Sequence, residues 1–572
     1  MKSKQLLLIA SILLFSTGFS YTTFAQITER VVYFKDKNGT AFSVSRPLEF
    51  LTQKSIDRRT KQGISITEQD LPVNADYISQ IKNLGAVVPY TIKWFNAAIV
   101  KADEATFIAI QNLSFVEKID KVAINLDPNR VARISATCDI DNNDTEEEIC
   151  QEFEVKEITD IKNTQENEEN FNYGSSLAQI QMLGVDKMHE QGFLGQGIHI
   201  AVLDGGFLNA NTLSAFSHAD IAFVYDVVGN GQNVYQASSH GTKVLSAMLS
   251  KAEGEIIGTA PEATYYLFRT ENTINSYEMP IEEAFWVVGA EKADSLGVDI
   301  IQSSLGYYDF DNPSYNYTHS DLDGNTALIS RAAQVATQKG IVVVTSAGNS
   351  GNDPWQKISF PADAVDVLAV GAVDRNSQIG NFSSLGNTAD GRVKPDIMAL
   401  GVGTTLWSEQ NRLTTGNGTS YAAPLIAGLI AGFMQQNPNL TQQEVMTAVR
   451  RAGDNYSTPN PQYGYGIPTF ARMNNPDLVL GQENEDLTNK DTQIRIFPNP
   501  VKSSLNIEID EKLFIANETL NLQIYNLQGQ LILEEVLKSS KKEIEFPAVP
   551  KGIYIVHIKG QNYQGTIKLL KD

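Results

Sequence analysis

The sequence predicts an α/β fold with a mostly parallel sheet and helices on both of its faces. Six short apolar runs have the length of buried strands, at residues 198–203, 222–225, 264–268, 298–303, 341–346 and 367–370. Stretches with helical spacing lie between several of these runs, for example at residues 281–296 and 327–338. Strands that alternate with helices along a chain are typical of parallel sheets, because each crossover needs a helix-sized connection.

Length and charge set the first limits. A chain of 572 residues is too long for one domain, and its net charge of −22 argues against nucleic acid as a partner.

Residues 1–25 are typical of a secretory signal peptide, with Lys2 and Lys4 before an apolar core and Ala25 at a small-residue cleavage site. The apolar run is shorter than the ~20 residues that a membrane span needs. We therefore expect a soluble, exported protein.

Two regions separate this signal from the predicted sheet. Residues 26–133 mix predicted strands, at 31–34 and 94–100, with predicted helices, at 76–83 and 102–113, and form an α+β domain. Residues 134–172 are rich in Asp and Glu, as expected for a solvated linker or loop, although clustered carboxylates can also hold Ca²⁺.

The linker contains both cysteines of the chain, Cys138 and Cys150. Export permits a disulfide, and a bridge would close a short loop worth about 3 kcal/mol in the chain-entropy model. We favour a bridge between them. Two unpaired thiols are the alternative.

A third pattern follows the predicted sheet, which we assign to residues 173–478. Residues 479–492 form a polar linker, and residues 493–572 contain short strands with period-two alternation, at 505–509, 520–525 and 551–558. Short strands at this spacing suggest a β-sandwich.

Three residues in the α/β region carry candidate chemistry. Ser420 follows Gly418-Thr419 and opens an apolar run that is predicted to be a buried helix. Asp204 ends the buried strand at 198–203, and His240 opens another helix-like stretch in the motif His-Gly-Thr. A serine at a helix start can serve simply as a helix cap. Together with an acid and a histidine, it can instead be a nucleophile.

The chain order Asp204, His240, Ser420 and the motifs Asp-Gly-Gly, His-Gly-Thr and Gly-Thr-Ser-x-x-Ala-Pro resemble the subtilisin-like serine proteases, the subtilases of the S8 family. The resemblance covers residues 173–475. Gly205 departs from it, since the family more often has Ser or Thr after the acid. The resemblance implies that Ser420 attacks the scissile carbonyl, His240 transfers the proton and Asp204 orients the histidine.

The same resemblance implies the remaining site residues. Asn349, after the strand at 341–346, would donate to the oxyanion together with the Ser420 backbone N–H. Two segments would line the pocket for the residue before the scissile bond: Ser304, Leu305 and Gly306, and opposite them Ser346, Ala347 and Gly348. These residues predict that the enzyme accepts apolar side chains, or a broad range of side chains, before the scissile bond. Tyr307 and Tyr308 would narrow that range. Catalysis would need no cofactor, and a structural Ca²⁺ is possible without identified ligands.

The flanking domains also resemble known families. Residues 26–133 are similar to an inhibitor-like subtilase propeptide, and an ordinary N-terminal domain is the alternative. Residues 493–572 are similar to a C-terminal sorting domain of type IX secretion, and a binding module is the alternative. We expect a zymogen that is cleaved between residues 134 and 173.

We therefore expect a secreted, monomeric serine endopeptidase whose partners are protein substrates, its own propeptide and the secretion machinery. A catalytically inactive protease fold that serves as a surface binding protein is the alternative. A serine esterase or peptide ligase on the same fold is a third candidate.

Overall fold

The computed structural model describes residues 27–120, 171–273, 278–475, 494–497, 501–509, 520–526, 531–547, 549–560 and 564–571. The chain divides into two compact units, Met1–Leu478 and Val479–Asp572. The predicted signal peptide, the acidic linker and both cysteines lie outside the described residues.

The first unit begins with a four-stranded antiparallel sheet in the order β2-β3-β1-β4. Its strands are β1 (Thr28–Phe34), β2 (Val87–Ile92), β3 (Ala97–Ala102) and β4 (Val116–Asp120). Three helices accompany it, α1 (Gln53–Lys61), α2 (Ala75–Asn83) and α3 (Glu104–Gln111). The strand predicted at 94–100 starts later, because residues 93–96 form the turn between β2 and β3, with Asn96 at φ +48°.

Strand β1 of this small sheet is buried on both of its faces. Val32 and Phe34 of β1 pack with α2 and α3, whereas their neighbours Val31 and Tyr33 belong to a core shared with the rest of the unit. Alternating side chains of a strand point to opposite faces, so one apolar strand can serve two cores. The sheet is thereby packed onto the part of the chain that follows it.

A seven-stranded sheet forms the centre of the unit, in the order β13-β12-β11-β10-β5-β9-β6, and all its strand pairs are parallel. Its strands are β5 (His199–Asp204), β6 (Asp220–Asp226), β9 (Thr264–Arg269), β10 (Ile300–Ser303), β11 (Val342–Ser346), β12 (Leu368–Val373) and β13 (Ile397–Leu400). The fold class predicted from the sequence is confirmed. The six runs predicted from the sequence do not include β13.

Helices cover both faces of this sheet. The helices are α4 (Leu177–Met182), α5 (Val185–Glu190), α6 (His240–Leu249), α7 (Ile281–Leu296), α8 (Leu328–Gln338), α9 (Thr419–Gln436), α10 (Gln442–Arg451) and α11 (Phe470–Asn474). Ile200 and Val202 of β5 pack in one core with residues of α6 and α9, and Ala201 and Leu203 pack in the other with residues of α7 and α8. Four short strands complete the unit: β7 (Lys251–Ala252), β8 (Ile256–Ile257), β14 (Thr404–Trp407) and β15 (Leu413–Gly416).

The second unit contains two antiparallel sheets, in the orders β16-β17-β20 and β19-β18-β21-β22. The strands are β16 (Ile494–Phe497), β17 (Ser504–Ile509), β18 (Leu520–Asn526), β19 (Leu531–Leu537), β20 (Lys541–Glu545), β21 (Gly552–Lys559) and β22 (Gln564–Lys571). Leu505 and Ile507 of β17 share one core with Leu522 of β18 and Val556 of β21. Two sheets around one apolar core form the predicted β-sandwich.

Candidate active site

The three residues predicted to be catalytic lie at one edge of the central sheet. β5 ends at Asp204, α6 begins at His240, and α9 begins one residue before Ser420. All three are buried. The ring of Tyr421, next to Ser420, has its centroid 5.9 Å from that of His240. This is the carboxyl edge of the parallel strands, where open α/β sheets build their sites.

Asp204 fixes the orientation of His240. The Nδ1 atom of His240 lies 2.9 Å from Oδ1 and 3.1 Å from Oδ2 of Asp204. The Gly205 backbone N–H donates to Asp204 Oδ1 at 2.8 Å and holds the carboxylate in place. An Nδ1–H that faces a carboxylate leaves the lone pair on Nε2, which is the tautomer a general base needs.

Two glycines next to this pair have no room for a side chain. A Cβ on Gly241 would lie 2.3 Å from the Gly206 carbonyl oxygen and 3.0 Å from Asp204 Cγ, so no side chain fits after His240. A Cβ on Gly205 would lie 2.6 Å from Thr273 Cγ2 and 2.9 Å from Glu271 Oε2. A larger residue at position 205 would collide with Thr273 and Glu271. The glycine that departs from the family pattern therefore fits the space that these two side chains leave.

Ser420 is held at the start of α9 by its neighbours. Asn349 Oδ1 accepts hydrogen bonds from the Thr419 backbone N–H and from Thr419 Oγ1, both at 2.9 Å. Thr419 Oγ1 in turn accepts from the Gly348 backbone N–H at 3.2 Å. These bonds tie the loop after β11 to the first turn of α9. They also engage Oδ1 of the Asn349 amide, so Nδ2 is its donating end.

Ser304 ties a second segment to the serine. Its Oγ donates to the Ser420 carbonyl oxygen at 2.8 Å, and Ser420 Oγ donates to the Ser304 carbonyl oxygen at 3.3 Å. The residue that directly follows β10 is thus bonded to the residue that carries the candidate nucleophile.

A cleft opens beside Ser420. Its lining contains five serines, two glycines, one amide and one phenol: Ser304, Gly306, Tyr308, Ser346, Gly348, Asn349, Ser350, Ser359 and Ser420. Four of the six residues predicted to bind substrate lie here, together with Asn349. The lining has no aliphatic and no ionised side chain.

The other predicted residues are placed differently. Leu305 and Ala347 have side chains in the apolar core with Tyr307, where each is at most 1% exposed. In extended chain, neighbouring side chains point to opposite sides, so Ser304 and Gly306 face the cleft while Leu305 faces the core. Tyr308 lines the cleft, where its ring stacks on that of Trp355 with centroids 4.7 Å apart.

Sequence reasoning missed Ser350 and Ser359. Ser350 directly follows Asn349, so its place beside the site could have been inferred. Ser359 lies far along the chain from the other lining residues and reaches the cleft because Phe360 pairs with Tyr307 through two backbone hydrogen bonds of 3.0 Å. No local motif marks such a pairing.

Buried carboxyl groups lie near the site. Burial raises the pKa of Glu278 and Glu282 well above the usual range, and neighbouring carboxyl groups, including Glu271, raise both further. The Glu282 oxygens accept from the backbone N–H groups of Asn272 and Met279. Burial and mutual repulsion favour the protonated forms here. Within the described ranges, no group of three or more His, Cys, Asp or Glu could hold a metal ion.

Comparison with known proteins agrees with this geometry. Residues 195–466 match the subtilase family model. The chain is 32% identical over 294 residues to subtilisin DY of Bacillus licheniformis, which covers 50% of this chain and 94% of that protein. It is 31% identical over 325 residues to the serine protease AprX of Bacillus subtilis, covering 51% and 68%, and 30% identical over 327 residues to subtilisin NAT of Bacillus subtilis subsp. natto, covering 55% and 75%. The chain belongs to the subtilase family.

The flanking regions of this subtilase also match family models. Residues 29–137 match a Bacteroidota S8 propeptide domain, and residues 495–572 match a secretion system C-terminal sorting domain. The resemblances inferred from the motifs are confirmed. The protein is a serine endopeptidase made as a zymogen, and its sorting domain indicates type IX secretion to the cell surface or the medium. In the part of the chain that the structure describes, no helix has both the length and the apolarity to span a membrane.

Proposed function

We propose that Asp204, His240 and Ser420 form the catalytic triad that hydrolyses peptide bonds in proteins through an acyl-enzyme. The observation that carries this proposal is the pair of contacts, 2.9 and 3.1 Å, between His240 Nδ1 and the Asp204 carboxylate at the edge where α9 presents Ser420. His240 Nε2 takes the proton from Ser420 Oγ as this oxygen attacks the scissile carbonyl. Asp204 stabilises the imidazolium, which then protonates the leaving amine.

Two donors serve the oxyanion of the tetrahedral intermediate. Asn349 Nδ2 supplies one N–H and the Ser420 backbone supplies the other. Preorganised donors of this kind contribute on the order of 10²–10³ in rate, a magnitude measured in subtilisin itself. The hydrogen bonds from Thr419 to Asn349 Oδ1 support this role, because they fix which end of the amide can donate.

The substrate chain binds in an extended form between residues 304–306 and 346–348. Residues 304–306 follow the carboxyl end of β10, and their backbone groups can pair with a peptide as an added strand does. Residues 346–348 form the opposite wall of the pocket, because the backbone groups of Ala347 and Gly348 are already bonded to other parts of the chain. The side chain before the scissile bond enters the cleft lined by Ser304 and Gly348. The chemistry uses side-chain and backbone groups alone and needs no cofactor.

The chain matures by losing its N-terminal domain. We assign the signal peptide to residues 1–25, the propeptide to residues 26–133 and the maturation cleavage to the segment between 134 and 173. Residues 493–572 direct export and lie beyond the catalytic domain. N-terminal sequencing of the secreted enzyme tests the cleavage site.

The triad is tested with Ser420→Ala. In subtilisin, loss of the nucleophile lowers kcat about 10⁶-fold, and a similar loss is expected for this variant on casein or a peptide substrate. Ser214→Ala is the matched control, since Ser214 is an exposed serine away from the site. If Ser420→Ala digested casein as fast as the parent enzyme, the triad assignment would be wrong. Accumulation of an uncleaved precursor in this variant alone would support self-maturation.

A further inference from the structure

Two glycines follow the candidate catalytic acid, and they have no side chains that could hold them in place. The Gly205 N–H donates to Asp204 Oδ1 at 2.8 Å, so the conformation of Gly205 affects where this carboxylate lies. Glycine has wide backbone freedom, and Gly206 uses it at φ +151°. Gly205 must therefore be held from outside the Asp-Gly-Gly segment.

Arg269 holds Gly205 from the neighbouring strand. Strands β5 and β9 pair in parallel with Asp204 opposite Arg269, so these two residues lie side by side where the strands end. Arg269 Nε donates to the Gly205 carbonyl oxygen at 3.2 Å, and Thr273 Oγ1 adds a longer bond of 3.4 Å to the same oxygen. Gly205 is thus bonded on both sides, to Asp204 through its N–H and to Arg269 through its carbonyl group.

Arg269 is itself held in one orientation. Its Nη1 lies 3.1 and 3.3 Å from the two Asp226 oxygens, and the Gly229 N–H donates to Asp226 Oδ1 at 2.8 Å. The guanidinium is planar, so a fixed Nη1 also fixes the direction of the Nε–H bond.

The burial of this ion pair is a weak argument for stability. Arg269 and Asp226 are 2% and 3% exposed, and Arg269 Nη2 has no hydrogen-bond partner among the residues that the structure describes. Removing two charges from water is costly, and an unused donor adds to that cost. The pair does, however, supply a rigid donor aimed at Gly205.

We propose that Arg269 is a positioning residue for the catalytic acid. Its Nε–H fixes Gly205, and Gly205 keeps the Asp204 carboxylate against Nδ1 of His240. This inference rests on the proposed function, in which Asp204 stabilises the imidazolium. A carboxylate that moves away from Nδ1 stabilises the imidazolium less, so His240 loses its proton at lower pH and the transition state is stabilised less. Arg269 acts through Gly205 and Asp204, not on the substrate.

Two variants separate the hydrogen bond to Gly205 from the charge of Arg269. Arg269→Lys keeps a cation beside Asp226 but places a methylene group where Nε lies. Arg269→Gln combined with Asp226→Asn removes both charges but can keep an N–H donor at that position, because Gln Nε2 follows Cδ as Arg Nε does. We expect Arg269→Lys to lower kcat about tenfold with little change in KM. The double variant should keep most of the parent kcat.

The pH profile of Arg269→Lys adds a readout that a merely structural role would not move. The acid limb of kcat/KM reports the ionisation of His240 in the free enzyme, and its midpoint should fall by about half a pH unit. The variant alters no charge around the acid and the first turn of α6, including those of Asp226, Glu271, Lys243 and Glu409. A shift in the acid limb therefore reports the geometry of Asp204.

Arg450→Lys is the matched control. Arg450 Nε donates to Asp396 Oδ1 at 2.7 Å just before the amino end of β13, at the opposite edge of the sheet. This variant should leave kcat and the acid limb unchanged. Dividing the rate by the titrated active sites makes kcat independent of the fraction that folds.

A spectroscopic comparison covers variants that do not mature. The downfield proton resonance of His240 Nδ1–H, recorded in the Ser420→Ala chain, should weaken when Arg269→Lys is added and persist with the double variant. The same resonance in all three chains would contradict the inference.

The kinetic outcomes also separate this inference from the proposed function. A parent-like kcat and acid limb in Arg269→Lys, or an equal loss of kcat in the double variant, would overturn the role of Arg269 and leave the triad standing. Digestion of casein by Ser420→Ala at the parent rate would instead overturn the proposed function.

Discussion

Pro424 creates a gap in the hydrogen bonding of α9 next to the nucleophile. A proline has no backbone N–H, so the Ser420 carbonyl oxygen, four residues earlier, cannot accept the usual helical hydrogen bond. Ser304 Oγ supplies the missing donor at 2.8 Å, and Gln302 Nε2 holds that hydroxyl at 2.7 Å. The Ser420 carbonyl oxygen is thus held by side chains of and next to β10, and not by a backbone N–H of its own helix.

We expect Ser304→Ala to lower kcat about tenfold with a smaller change in KM. The variant leaves the buried Ser420 carbonyl without its donor and loosens the nucleophile, whose placement affects the reaction more than substrate binding. Steady-state kinetics on one peptide, normalised by active-site titration, measure both constants. Ser383→Ala serves as the control, because Ser383 is a buried serine outside the cleft whose Oγ accepts from the Ala372 N–H at 3.0 Å. An unchanged kcat in Ser304→Ala would show that this bond does not position Ser420.

The residues with chemical roles differ in how far the sequence predicts them. Asp204, His240 and Ser420 each lie in a motif whose small neighbours are required by local packing, as Gly241 shows. Ser359 has no such motif, because its place depends on a pairing between two distant loops. Such a pairing is not a local property of the chain, so the part of the cleft that Ser359 lines could not be inferred from the sequence.

At the scale of elements, α1 is the clearest difference from the sequence analysis, which predicted no helix at 53–61. This segment is strongly polar, and two of its charged residues, Arg58 and Arg59, are buried. Arg59 Nη2 lies 2.8 Å from Asp294 Oδ2 of α7, and Arg58 Nε donates to the Lys339 carbonyl oxygen at 3.1 Å. Arg58 and Arg59 can be buried only because residues of the catalytic domain pair with them. These partners lie far along the chain, so the local sequence pattern at 53–61 does not reveal them.

The pKa of Asp294 shows how α1 is held. Burial alone would raise this pKa, but the charges of Arg59 and Arg58 outweigh burial and hold it below its usual range. Asp70 completes the cluster, since it lies 3.2 Å from Arg59 Nη2 and 3.0 Å from Lys339 Nζ. A buried charge network thus links the propeptide to α7 and to the end of α8.

Arg59→Met is expected to lower the free energy of unfolding of the zymogen by about 3–5 kcal/mol, because it leaves buried carboxylates without their partner. The midpoint of urea unfolding, measured in a Ser420→Ala background to prevent self-digestion, reports this loss. Arg46→Met is the control: Arg46 is exposed and pairs with Glu49 on the surface, so the change should cost less than about 1 kcal/mol. Equal midpoints for the two variants would contradict a structural role for the network.

At the scale of the whole molecule, the sequence predicts three structured regions because each has its own pattern. The α/β alternation, the mixed N-terminal pattern and the period-two strands are local signals. Their assembly is not local: Tyr33 and Tyr90 of the propeptide share a core with Phe268 and Trp286 of the catalytic domain. The propeptide and catalytic domain therefore form one compact unit, a result that depends on apolar faces meeting across the chain.

Buried carboxyl groups give this unit a pH dependence. Burial raises the pKa of Glu283 and of Glu291 to about 7, and that of Asp363 to about 6. Between pH 4.5 and 7 the folded chain keeps protons on Glu283 and Glu291 that the unfolded chain has released. Through these two groups, rising pH lowers the free energy of unfolding across this window and has no further effect once pH exceeds about 7. Burial lowers the pKa of His189 to about 4, so this imidazole acts in the opposite direction between about pH 4 and 6.5.

Glu283 allows this dependence to be tested with one substitution. Its oxygens accept from Tyr317 Oη at 2.7 Å and from the Ile329 N–H at 2.9 Å, and a Gln can keep the volume without ionising. In the Ser420→Ala background, we expect Glu283→Gln to make the change in unfolding free energy from pH 4.5 to 7 more positive by up to about 3 kcal/mol, because the loss contributed by Glu283 is removed. Urea unfolding followed by tryptophan fluorescence measures it, since Trp94, Trp286, Trp355 and Trp407 all lie in the first unit. Glu444→Gln, at an exposed carboxylate whose pKa is lowered, should keep the parent slope in this window. If the unfolding free energy of Glu283→Gln changed with pH as that of the parent does, Glu283 would already be ionised in the folded chain at pH 4.5.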